Sequence, residues 1–225
     1  MIKKVLIAYL LVFSIKSWGQ SFYRYDLNQT NDCIAKEMDL YVNSLNTGKD
    51  LLRNSSIDSC ARLRTEYFLD LLEINAKSKG YLRELLDSVP PGKKAHQECF
   101  GNPSFFLPSE GKYPISFFDV INQGVRTTGE VMGWFRSVIE FDSKQNPNEI
   151  VRLTLEEIKN LHGISPAKKM ITNYQKSKSH DQVIKNRGDG KFGSSTEALV
   201  LERKIGNKWI YEVVIFNVVN FTTQI

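Results

Sequence analysis

His96-Gln97-Glu98-Cys99 places an imidazole, a carboxylate and a thiol within four consecutive residues. A thiol becomes a nucleophile when a base stands within hydrogen-bond reach, and His96 could serve Cys99 in that way. His96 and Cys99 are therefore the catalytic candidates of this sequence. A disulfide at Cys99 would compete directly with that role. The chain has only three histidines and neither an H-E-x-x-H nor a C-x-x-C pattern, so no metal ligand set is expected.

Gly188-Asp189-Gly190-Lys191-Phe192-Gly193 has the spacing G-x-G-x-x-G. In dinucleotide sites that pattern links a strand to a helix whose N-terminus holds a pyrophosphate. Here the residues that follow read as a strand, so the segment is expected to be a loop entering a hairpin, and no cofactor is expected. His162 precedes Gly163, where a helix should end and a cation is favourable. His180-Asp181 reads as a solvated loop pair. Glu156-Glu157 and Glu140/Asp142 are acidic neighbours, but a glycosidase pair is defined by separation in space.

The elements that would position these groups can be read from periodicity. Residues 31–47 should form a helix capped by Asn31 or Asp32, with Ile34, Met38, Tyr41 and Leu45 along one side. A second helix should open at Ser55 or Ser56 and present Cys60, Tyr67, Phe68, Leu71, Leu72 and Ile74. A polar break at 75–80 precedes a last helical piece at Tyr81, Leu82, Leu85 and Leu86, stopped by Pro90-Pro91. Five of the seven prolines lie in 90–116, an ordered loop and a possible internal boundary.

Residues 127–142 fit helix and strand almost equally, and their β-branched and aromatic content favours strand. A partner strand at 149–155 would follow the turn Gln145–Asn148. Ser165-Pro166 announces a helix with Ala167, Met170, Ile171 and Tyr174 on its buried side. Gly206-Asn207 joins two strands, 196–205 and 208–219, into a hairpin whose second strand is apolar on both faces and therefore central.

The first nineteen residues have the form of a secretory leader: Lys3 and Lys4, then an uncharged run from Val5 to Phe13, then small residues Ser17 and Gly19 before Gln20. The run is too short to span a bilayer. Losing Lys3, Lys4 and Lys16 with it lowers the formal charge from +5 to +2. That charge gives no reason to expect nucleic acid as a partner. Lys168, Lys169, Lys176, Lys178, Lys185, Arg187 and Lys191 form a basic stripe, expected to be a solvated helix face. Three cysteines, Cys33, Cys60 and Cys99, suggest one bridge in an oxidising compartment, with Cys33–Cys60 the least favourable pair.

Together these features predict an exported α+β protein, secreted or periplasmic, with 20–225 as a single domain. An N-terminal helical hairpin would pack on a curved antiparallel sheet built mainly from the C-terminal half. With no complete catalytic motif, the expected function is binding or interaction at the cell envelope or exterior, with another protein or a small apolar ligand as partner. A small hydrolase using His96 and Cys99, or a protein-neutralising inhibitor, is the alternative.

Overall fold

The computed structural model describes residues 19–45, 51–79, 129–186 and 190–222. In chain order these form β1 (Gln20–Asp26), α1 (Asn28–Ser44), β2 (Leu52–Arg53), α2 (Ser55–Lys79), β3 (Gly129–Phe141), α3 (Pro147–His162), α4 (Pro166–Lys176), α5 (Lys178–Lys185), β4 (Lys191–Ile205) and β5 (Lys208–Thr222). The fold is α+β. Four strands pair antiparallel in the order β1-β4-β5-β3, and short β2 adds in parallel beside the start of β4. The sheet is open.

The β4–β5 hairpin is its centre. Ile205 pairs with Lys208 across Gly206-Asn207, and Gly206 takes φ 61°, a conformation that glycine reaches without steric cost. Both strands are buried along nearly their whole length, as their two-sided apolar sequence demands. The segment with mixed signals resolves as strand: β3 pairs with β5 from Gly129↔Phe221 to Phe141↔Trp209.

Strand alternation gives the sheet two faces. On the first lie Phe192, Ala198 and Val200 of β4, Val213, Ile215 and Val219 of β5, and Val131 of β3. These are covered by α1, α3, α4 and α5. On the second lie Leu199, Leu201, Val214, Phe216, Val218 and Met132, covered by Ala61, Phe68, Leu69, Leu72 and Ala76 of α2. Both N-terminal helices thus pack on the sheet, and they take opposite faces. The chain passes from one face to the other around the edge of β4, where β2 is pinned.

That edge takes partners from several elements. Beside the β2 pairs, Asn54 N–H donates to Phe192 O (2.8 Å), Ser194 N–H donates to Asp58 Oδ1 (2.8 Å), and Asn31 Nδ2 donates to Ser194 O. Leu27 N–H then donates to Thr196 O (2.9 Å), and β1 pairs the rest, from Asp26↔Glu197 to Gln20↔Arg203. Side chains of Asp58 and Asn31 fill the gap between β2 and β1, satisfying both backbone groups of Ser194.

Several local expectations change. The first helix begins three residues early, at Asn28, without a side-chain cap, because Asn31 turns inward to β4. Ile34, Met38 and Val42 make its buried side, with Tyr41 half-buried. The second helix is capped by Asn54, whose Oδ1 accepts from Ser56 N–H and Ile57 N–H, and it runs unbroken through the expected interruption to Lys79. Ile74, two residues from buried Leu72, falls on the opposite side and is exposed. Residues 149–155 are helix, not strand. Asn146 caps that helix, Pro147 opens it, and Ile150, Val151, Thr154 and Ile158 repeat at helical spacing up to Gly163 (φ 68°). The Ser165-Pro166 helix forms with all four expected residues buried.

Two glycines set the layer spacing. A Cβ on Gly193 would lie 2.2 Å from Asp58 N and Ile57 C, so its absence lets the first turn of α2 touch β4. A Cβ on Gly133 would meet Met170 Sδ at 2.8 Å, and this gap admits α4.

Candidate functional site

His96, Cys99 and the 90–116 loop lie outside the described residues, as do most of the leader and Arg187-Gly188-Asp189. Among the described residues, Cys33 is exposed and free, so it takes part in no bridge and a Cys33–Cys60 pair is not formed. Gly190 to Gly193 run directly into β4, so the glycine pattern meets a strand where a phosphate site needs a helix N-terminus. His180-Asp181 is helical, in α5. The His180 ring sits edge-on to Tyr174 at 5.4 Å, and Asp181 accepts from Tyr41 Oη and Lys185 Nζ. Those two partners, Lys185 first, hold the Asp181 carboxyl below its usual range. Glu156 pairs with Arg152, Glu157 accepts from Ser137, and Glu140 binds Lys208 at 3.1 Å. His162 is exposed at the C-terminal end of α3.

The polar groups that the structure brings together sit inside apolar strands. Under α1 and α4, Asn217 Nδ2 donates to Ser195 O (3.0 Å), Thr196 Oγ1 (2.9 Å) and Ser194 Oγ (3.2 Å), and Tyr174 Oη donates to Asn217 Oδ1 (2.6 Å). Ser194 Oγ and Thr196 Oγ1 donate in turn to Asn31 Oδ1. All five side chains are buried and neutral. Burial pushes the Tyr174 hydroxyl well above its ordinary range, with the Glu130 charge adding to it, so it stays a donor. This network ties α1, α4, β4 and β5 together and has no group able to exchange a proton near neutral pH.

Under α2 the buried groups are charged. Arg64 grips Glu130 with two hydrogen bonds, Nε–Oε2 2.9 Å and Nη2–Oε1 2.8 Å, while its guanidinium lies 4.8 Å from the Phe68 ring. Arg203 pairs with Glu212. Glu197 stands opposite Asp26 of β1. Burial, then the charges of Glu66 and Asp26, push its carboxyl up to about 7, against a smaller opposing effect of Arg62 and Arg24. A carboxyl in that range can give or take a proton at neutral pH.

At the hairpin end of the first face, buried Glu202 receives Lys144 Nζ at 3.0 Å, and Tyr23 Oη donates to it at 3.4 Å. The Lys144 ammonium lies 5.2 Å from the Trp209 ring. Among the described residues no set of three His, Cys, Asp or Glu side chains is placed to hold a metal ion.

These groups were not singled out from the sequence, though a signal was there. Glu197, Glu202, Glu212 and Asn217 interrupt strands that are otherwise apolar on both faces, and such residues must find partners.

β3 pairs with β5 along one edge, and among the described residues no strand pairs with its other edge. From Trp134 to Phe141 its second-face residues, Trp134, Arg136, Val138 and Glu140, are exposed, with Val138 at 47% and Trp134 at 37%. Trp134 stacks on Phe216. No helix among the described residues is long and apolar enough to cross a membrane. Compared with protein-family models, with curated proteins and with solved structures, the chain matches none.

Proposed function

We propose that the protein is an exported interaction protein of the cell envelope or exterior, acting through surface contact rather than catalysis. The observation that carries this reading is the long β3 border, thirteen residues with exposed side chains over its second half. Along it no described strand pairs, so its outer backbone donors and acceptors stand beside exposed Trp134 and Val138; the shorter β1, seven residues, ends the sheet on its other side. Two of the three buried acids under α2 support it further, since Glu130 is held by Arg64 and Glu212 by Arg203.

Two measurements test the reading. N-terminal sequencing of chain recovered after export should begin at Gln20; chain that keeps residues 1–19 and stays in the cytoplasm overturns export. Turnover of ester, peptide and glycan substrates should be absent. Turnover that His96→Ala or Cys99→Ser abolishes would make the protein a hydrolase.

A further inference from the structure

We propose that the edge of β3, on which no described strand pairs, joins β3 of a second copy of this chain, antiparallel about a two-fold axis at Val138, merging two sheets into one. This rests on the interaction reading and gives it a partner. The sequence of the edge carries the choice of partner. In an antiparallel pair centred on Val138, residues whose numbers mirror one another across 138 stand opposite. On the second face this sets Val138 against Val138 and Arg136 against Glu140, twice by symmetry. On the first face it sets Phe135 against Phe141 and Ser137 against Ile139.

Each charge therefore meets its opposite, and the exposed valines meet at the axis. Shifting the centre to Arg136 or to Glu140 would place like charges face to face, so the pattern selects against those registers. Arg136 is exposed and pairs with no acid among the described residues, while Glu140 already holds Lys208 and would sit between two cations. Seven residues of each chain, Phe135–Phe141, enter the new ladder. An isologous contact of this kind closes on itself and consumes the β3 edge, leaving β1 as the outer strand at each end of the joined sheet.

Sedimentation of the purified chain across micromolar concentrations tests this, with thermal unfolding as a check that each variant is folded. The wild type should sediment at twice the chain mass. Arg136→Glu should raise the dimer dissociation constant about tenfold or more, because both ion pairs become like-charge contacts. The double variant Arg136→Glu/Glu140→Arg should restore the dimer. A wild type that is monomeric throughout overturns self-pairing, with the two charges then acting only as guards of the edge; the interaction reading would survive. A dimer indifferent to Arg136→Glu overturns the use of β3. A double variant that stays monomeric overturns the register. Catalysis dependent on His96 or Cys99 would instead remove the interaction reading while leaving the dimer untouched.

Discussion

Under α1 and α4 the sheet buries Asn31, Ser194, Thr196, Asn217 and Tyr174, all neutral and joined in one hydrogen-bonded chain. Under α2 it buries Glu130, Glu197 and Glu212, with arginines brought in from α2 and β4. One sheet thus meets the same demand, polar atoms out of water, in two ways. A neutral network has no ionisation to lose and holds its geometry at any ordinary pH. A charged pair binds more strongly but is costly when broken, because the remaining charge cannot regain its hydration. Around Asn217 the first face is built to be constant, whereas its Glu202–Lys144 pair and the acids of the second face are built to be sensitive.

The sharpest way to break the second face is Gly193→Ala. The added methyl meets backbone atoms of Ile57 and Asp58 that cannot swing aside, so the loss should reach or exceed about 3 kcal/mol. Denaturant unfolding should show it as a large drop in midpoint. Arg64→Ala should follow at about 3 kcal/mol, since Glu130 loses both of its guanidinium hydrogen bonds. Replacing both partners, Arg64→Met with Glu130→Met, should recover much of that loss in the same assay, the mark of a charged pair.

Asn217→Leu on the first face should cost about 2 kcal/mol, because Tyr174 Oη and Ser195 O lose their Asn217 partner while the Ser194 and Thr196 hydroxyls keep only Asn31. That cost should be the same at pH 5 and pH 8. The smallest effect is one of pH alone. Glu197 keeps its proton to about pH 7 in the folded chain, whereas an unfolded glutamate loses it near 4.5. The folded state therefore binds more protons between those values, and stability falls as pH rises through that window. Glu197→Gln should flatten the melting temperature from pH 4.5 to 7 relative to wild type; an unchanged slope would assign the sensitivity to other groups.

Short-range chemistry was legible in the sequence. Gly206-Asn207 located the central hairpin, Ser165-Pro166 the start of α4, and β-branched content the strand at 129–141. Failures came where a local signal was outbid by a distant partner. Asn31 resembles a cap, but its amide serves β4, 163 residues away. Asn146-Pro147-Asn148 resembles a hairpin turn, and the same residues cap a helix whose apolar spacing of three and four was overlooked. β1 and β2 passed unseen because they are strands only by pairing with β4. That α1 and α2 take opposite faces depends on a two-residue strand, which no periodicity announces. The candidate site was read from reactive residue types, whereas the groups that converge are acids inside apolar strands, recognisable by the break they make in alternation.

The arrangement around β4 also sets an order of events. β1 and α1 are the first described elements made during synthesis, yet the surface they dock on comes from residues 191–222, far downstream in the sequence. Helices α1 and α2 cannot settle on their faces, nor can β2 reach its place, until β4 and β5 exist. Contacts this distant in sequence close slowly, since the long loop must lose its freedom before any contact repays it. β1, α1 and α2 thereby wait for residues 191–222 to be made, a delay written into the topology. A chain that must be threaded through a membrane before it folds would gain its waiting time from the same delay.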